Sequence, residues 1–158
     1  MTSIFRTLEF LALGVWLGSD VFLSFAVAPA AFRILASRDQ AGSIVGYALG
    51  VMHIGGIICG FAIIAARLLR TKTFASLATP AALCVVLMIA LTAISQYTVS
   101  PKMASLRVQM GSIQATAAGN PLLVEFGRLH RISVSLESGV LLAGIAAMYL
   151  MAREKLPG

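Results

Sequence analysis

Three ionisable side chains stand inside apolar runs: Asp20 in LALGVWLGSDVFLSFAVAPAAFRIL, His53 in GYALGVMHIGGIICG and Glu137 in ISVSLESGVLLAG. A charge at the centre of a bilayer costs ~2.5–3.5 kcal/mol on insertion scales, so such a residue turns inward and finds a partner. Carboxylates and an imidazole are also the groups that ligate a divalent cation or pass protons. Asp20, His53 and Glu137 are therefore the candidate metal or cation residues. Met52, Met88 and Met103 would add soft thioethers if the ion were copper(I). A b-type haem is a second chemistry to weigh, with His53 as axial ligand and Gly50, Gly55 and Gly56 leaving room for a macrocycle; His130 lies nearer the water. Plain structural roles compete with these. Asp20 can pair with Arg131 or Lys102, Glu137 with Arg128 or Arg131, and His53 can hydrogen-bond Tyr97 or a carbonyl. No catalytic residue is expected. Ser19 and Ser133 sit in no nucleophile elbow, no glycine-rich phosphate loop is present, and the chain reads as a non-enzyme.

The elements that must position these residues are membrane helices. Of 158 residues, 59% are hydrophobic and 11% charged, against about 25% charged in a soluble domain. Four apolar runs are each long enough to cross a bilayer, which takes ~20 residues. They run from about Phe5 to Leu35, Ala41 to Leu69, Phe74 to Tyr97 and Val124 to Met151. Residues 1–158 are expected to form a single domain, an all-α integral membrane four-helix bundle. Lys102 to Glu125 is the one sizeable extramembrane segment, with Met103 to Met110 a short helix at the interface and Gly119-Asn120-Pro121 a breaker. Glu9, Trp16 and Asp20 fall on one side of the first span, and His130, Val134 and Glu137 on one face of the fourth. The pairs Gly14/Gly18, Gly46/Gly50 and Gly56/Gly60 have the spacing that lets helices approach closely. Pro29 is expected to kink the first span and Pro80 to lie in the second turn of the third. Ser37 and Asp39 are capping candidates for the second helix. No internal repeat is evident.

The net charge of +6 does not point to nucleic acid. Arg33, Arg38, Arg67, Arg70, Lys72, Arg153 and Lys155 flank the apolar runs, where anchors and topology signals belong. Cys59 and Cys84 lie inside the runs without metal-ligand spacing and read as packing residues. The first run reads as a retained span rather than a signal peptide, because Asp20 interrupts it and Pro29 would sit at the cut. Basic residues divide evenly between the two sides; the dense cluster at Arg67 favours termini in the cytoplasm and a place in the cell inner membrane. The expected partners are the lipid bilayer, a metal ion or other cation, and a second copy or another membrane protein.

Two stretches resemble a known family. Trp16-Leu17-Gly18-Ser19, Phe25 to Phe32 and Gln40-Ala41-Gly42 are similar to the opening of four-span bacterial proteins filed as a domain of unknown function. Tyr97, Pro101, Leu106-Arg107 and Phe126-Gly127-Arg128-Leu129-His130-Arg131-Ile132-Ser133 are similar to its second half. Transmembrane-protein-205-like proteins are the eukaryotic relatives, and copper resistance protein D is a distant one. The resemblance implies a four-helix membrane protein without an assigned activity, and marks Trp16, Tyr97, Arg128, His130 and Arg131 as motif positions. The chain departs from the pattern at Asp20 and Glu137, where the family has neutral residues. The expected function is binding or moving a cation through a polar intramembrane pocket open on the side away from the termini. The alternatives are a scaffold or accessory subunit and a haem-binding protein.

Overall fold

Capping residues set where the second, third and fourth long helices begin. Ser37 accepts the backbone N–H groups of Asp39 and Gln40, Thr79 that of Ala82, and Asn120 that of Leu122. These satisfy donors that a helix start leaves without intrahelical partners. In the computed structural model, which describes residues 2–154, four long helices follow: α1 Ser3–Ile34, α2 Arg38–Thr71, α3 Pro80–Met110 and α4 Pro121–Arg153. They contain 32, 34, 31 and 33 residues and are long and apolar enough to cross a membrane. At ~1.5 Å per residue each exceeds the ~30 Å hydrocarbon core, so the ends reach the headgroups or beyond. The basic flank residue Lys155 lies outside the described residues.

The third helix is longer than its apolar run. Met103 to Met110 continues it and does not form a separate interfacial helix. The span was expected to end at Tyr97, but the helix runs on through Pro101. A proline inside a helix lacks the N–H and crowds the preceding turn. Here the chain absorbs this with a π-helical turn, Ser95–Val99, and the Ser100 N–H bonds the Ser95 carbonyl. The same device precedes Pro29, where Leu23–Val27 is π-helical and the Ala28 N–H bonds the Leu23 carbonyl. Pro80 stands in the first turn of α3, where its missing N–H costs nothing. A short 3₁₀ turn, Phe74–Ala78, occupies what the sequence suggested was the start of that span.

The helices pack as two hairpins, α1 with α2 and α3 with α4. The apolar core fills the half of the bundle nearer the termini. It is built from Leu13, Trp16, Ile63, Val85, Met88 and Ala147, with smaller neighbours. Close approach depends on Gly56, Gly60 and Gly144. A Cβ at Gly56 would overlap the Trp16 ring, one at Gly60 would meet Ile89 and Trp16, and one at Gly144 would meet Leu17 and Met88. The other expected close contacts did not form: added Cβ atoms at Gly14, Gly18 and Gly46 meet nothing within 4 Å. The spacing was right, but those glycines lie on outward faces. Large apolar side chains such as Leu11, Phe22, Ile58 and Leu142 cover the exterior. That is the arrangement a bilayer favours.

The terminal end is closed by ion pairs. Arg70 donates to both oxygens of Glu9, at 2.8 and 3.3 Å, and lies 3.5 Å from Glu154. Arg67 also pairs with Glu154. Glu9, Arg67 and Arg70 are buried. Arg67 and Arg70 therefore face inward rather than anchoring at headgroups as their position beside an apolar run suggested. At the opposite end Asp39 secures the connection between α3 and α4, accepting from the Ser112 hydroxyl at 2.6 Å and the Ile113 N–H at 2.8 Å.

Candidate functional site: a buried imidazole between two carboxylates

Asp20, His53, Gln96 and Glu137 each lie within two residues of the midpoint of their helix. They therefore meet at one depth, the middle of the bundle. His53 is fully buried. Its Nδ1 is 2.9 Å from Gln96 Oε1 and its Nε2 is 2.6 Å from Glu137 Oε1. Ser95 donates its hydroxyl to the same glutamate oxygen at 3.2 Å. Asp20 is buried beside them, within electrostatic reach of both Glu137 and His53. It accepts the Ser24 hydroxyl at 3.2 Å. The second oxygens, Asp20 Oδ2 and Glu137 Oε2, are buried without a hydrogen-bond partner among the described residues.

With Gln96 Oε1 as acceptor, Nδ1 carries a hydrogen, since the orientation of the amide fixes the tautomer. One further proton lies between Nε2 and Glu137 Oε1. It makes either an imidazolium–carboxylate pair or a neutral imidazole accepting from a carboxylic acid. The two forms differ only in where that proton sits. A pair of this kind, held by fixed neighbours and out of water, is suited to receiving and releasing protons.

None of the three residues pairs with lysine or arginine among the described residues. The expected alternatives thus did not form: Arg128 pairs with Glu125 at 2.8 Å on the surface, and Asp20 takes a serine in place of Arg131 or Lys102. His53 takes Gln96 and Glu137 in place of Tyr97. Among the motif positions, Trp16 is buried, whereas Tyr97, Arg128, His130 and Arg131 are exposed and do not line the site. The face predicted for α4 was one position out. Leu129, Ser133 and Val140 point inward with Glu137 between them, and His130 and Val134 point outward.

Gln96, Ser95 and Ser24 were missed. The signal for Gln96 was its position four residues past the polar Thr92 on an apolar helix. It was masked by ending the span at Tyr97. Both ring nitrogens of His53 are engaged, and of Gly50, Gly55 and Gly56, where a macrocycle was considered, Gly56 is covered by the Trp16 ring. Among the described residues, no three His, Cys, Asp or Glu side chains gather into a group that could hold a metal ion. A cavity of about 400 Å³ lies elsewhere, at the end away from the termini, between Leu35, Gln40, Ser43, Ile44 and Arg107.

Four apolar helices around a midplane cluster of acid, imidazole and amide define a multi-pass membrane protein. The chain belongs to the family described as a domain of unknown function, DUF4149, whose sequence pattern matches residues 11–112. The match covers α1 from Leu11 onward and all of α2 and α3. It includes Asp20, His53 and Gln96 but ends before α4 and Glu137, and before the motif resemblance at 126–133. No curated protein and no solved structure matches the chain.

Proposed function

We propose that this protein is a non-enzymatic membrane protein that takes up and moves protons through the site formed by Asp20, His53 and Glu137. The observation that carries the reading is the buried His53, bridged to Gln96 and Glu137 at mid-depth, with no lysine or arginine among the described residues neutralising either acid. Burying an uncompensated carboxylate costs several kcal/mol. A proton or another small cation arriving between Asp20 and Glu137 removes that cost. This gives the site a reason to bind one and, because the bound state is neutral or nearly so, a means to release it.

Access is from the side away from the termini. Polar Ser24, Gln96 and Ser133 lie at or beyond the site in that direction, whereas Trp16, Met88 and the ion pairs at Arg70 block the other. We place the protein in the cell inner membrane with cytoplasmic termini, because the basic residues that end α2 act on topology as the chain inserts, before Arg67 and Arg70 are paired with Glu154 and Glu9.

A soft metal cation, as a distant likeness to copper resistance protein D would imply, is the alternative cargo. Met52 and Met88 are buried thioethers in the same bundle. A scaffold role is favoured by one separate observation, the buried Glu9–Arg70–Glu154–Arg67 network stitching α1, α2 and α4 together. The test is proton entry into liposomes, read with a trapped pH-sensitive dye under a potassium diffusion potential. Native protein should acidify the lumen, and Glu137→Gln and Asp20→Asn should abolish that entry. Equal rates in native and variant liposomes would leave the scaffold reading.

A further inference from the structure

The two hairpins repeat one another. Positions in α1 recur 72 residues later in α3: Trp16 and Met88, Leu17 and Ile89, Asp20 and Thr92, Leu23 and Ser95, Pro29 and Pro101. Positions in α2 recur 84 residues later in α4: His53 and Glu137, Gly60 and Gly144, Ile63 and Ala147. The π-helical turns obey the first offset, Leu23–Val27 against Ser95–Val99. So does burial: Glu9, Leu13, Trp16, Asp20 and Leu23 are buried, as are Ala81, Val85, Met88, Thr92 and Ser95. The packing repeats as well. Gly60 is crowded by Trp16 and Ile89, and Gly144 by the counterparts Met88 and Leu17. Contacts that cross between hairpins exchange under the same operation, α2 on α3 matching α1 on α4.

A relation of this kind is a two-fold rotation about an axis along the membrane normal, as in other membrane proteins built from parallel repeats. A residue that touches its own counterpart lies on the axis. His53 and Glu137 do so at 2.6 Å, and Arg70 and Glu154 do so at the terminal end. The axis therefore runs through the imidazole–carboxylate pair.

We propose that Thr92 is a further residue of this site, facing the His53–Glu137 pair from the side opposite Asp20. It is buried, and its hydroxyl has no partner among the described residues. It shares a helix face with Ser95 and Gln96, which already touch the pair. A hydroxyl both donates and accepts, so it can hand a proton on without carrying charge. The inference rests on the proposed proton-handling function for its purpose, and on the repeat for its geometry.

The experiment moves the acid across the axis, comparing native protein, Asp20→Thr, Thr92→Val and the double variant Asp20→Thr with Thr92→Asp. Two readouts are taken on protein that stays monodisperse and melts cooperatively. The first is the infrared carboxyl stretch and its response to adding Glu137→Gln. The second is proton entry into liposomes. In the double variant the new carboxyl band should respond to Glu137→Gln as the Asp20 band does in the native chain. Proton entry lost in Asp20→Thr should return, and Thr92→Val should slow entry about 3- to 10-fold, the worth of one hydrogen bond. A band at position 92 that ignores Glu137→Gln overturns the placement of Thr92, whatever the transport result. A responsive band in a protein whose native form admits no protons upholds the placement and rejects the transport function instead.

Discussion

His53 has little freedom at the level of single side chains. Both ring nitrogens are committed, and the ring is sealed from solvent. Replacing it with alanine leaves Glu137 facing a void without its partner. We expect His53→Ala to cost about 3 kcal/mol, in the range for breaking a buried charged pair. Glu137→Gln, which keeps a hydrogen-bonding group, should cost about 1 kcal/mol. Thermal unfolding in detergent measures both. The glycines give a second contrast. Gly56→Ala pushes a methyl into the Trp16 indole and should destabilise by about 1–3 kcal/mol, while Gly14→Ala, facing open space, should stay within about 0.5 kcal/mol. The three ionisable residues were legible in the sequence because charge inside an apolar run has few explanations. Their partners Gln96, Ser95 and Ser24 were not, because short polar side chains in a membrane helix are as often satisfied by their own backbone. Arg131 and Ser135 illustrate this: the serine hydroxyl bonds the Arg131 carbonyl one turn back.

At the level of helices, hydropathy located all four spans but misjudged their ends. Pro101 reads as a terminator by the usual rule, yet a π turn carries the chain past it. The proline marks where the ladder must adjust, but whether the helix stops or passes through a π turn is seen only in the structure. The terminal ion pairs were hidden for a related reason. Arg67 and Arg70 sit where headgroup anchors sit, and only the pairing of α1 with α2 brings Glu9 to Arg70. Removing Glu9 leaves a buried guanidinium with Glu154 at 3.5 Å as its remaining acid. Glu9→Ala should therefore lower stability by about 3–5 kcal/mol. A loss no larger than that of an exposed pair such as Glu125–Arg128 would show that water reaches this end. At the other end, Asp39→Ala removes the acceptor for Ser112 and Ile113. We expect it to raise amide hydrogen exchange in residues 111–120 while leaving the melting of the bundle nearly unchanged. That connection is held by few contacts, and such regions open locally.

For the whole molecule, the fold class followed from composition and from four long apolar runs, and the bundle has that form. The two-fold relation between its halves escaped the sequence because little identity survives between them. What repeats is burial, together with one proline and one glycine in corresponding places, and the burial pattern is seen only when the helices are packed. The relation also explains why one site exists where two hairpins might have made two: it lies on the axis that the halves share. The large apolar core and the ion pairs lie on one side of that site; on the other, Ser133 is buried among Leu23, Val99 and Leu129. The central claim is that the Asp20–His53–Glu137 cluster exchanges protons with water from within the membrane. Its most direct measurement is proton entry into liposomes containing native protein or Glu137→Gln at equal density. The account predicts rapid acidification with the native chain and the rate of protein-free liposomes with the variant; native protein no faster than empty liposomes would contradict it.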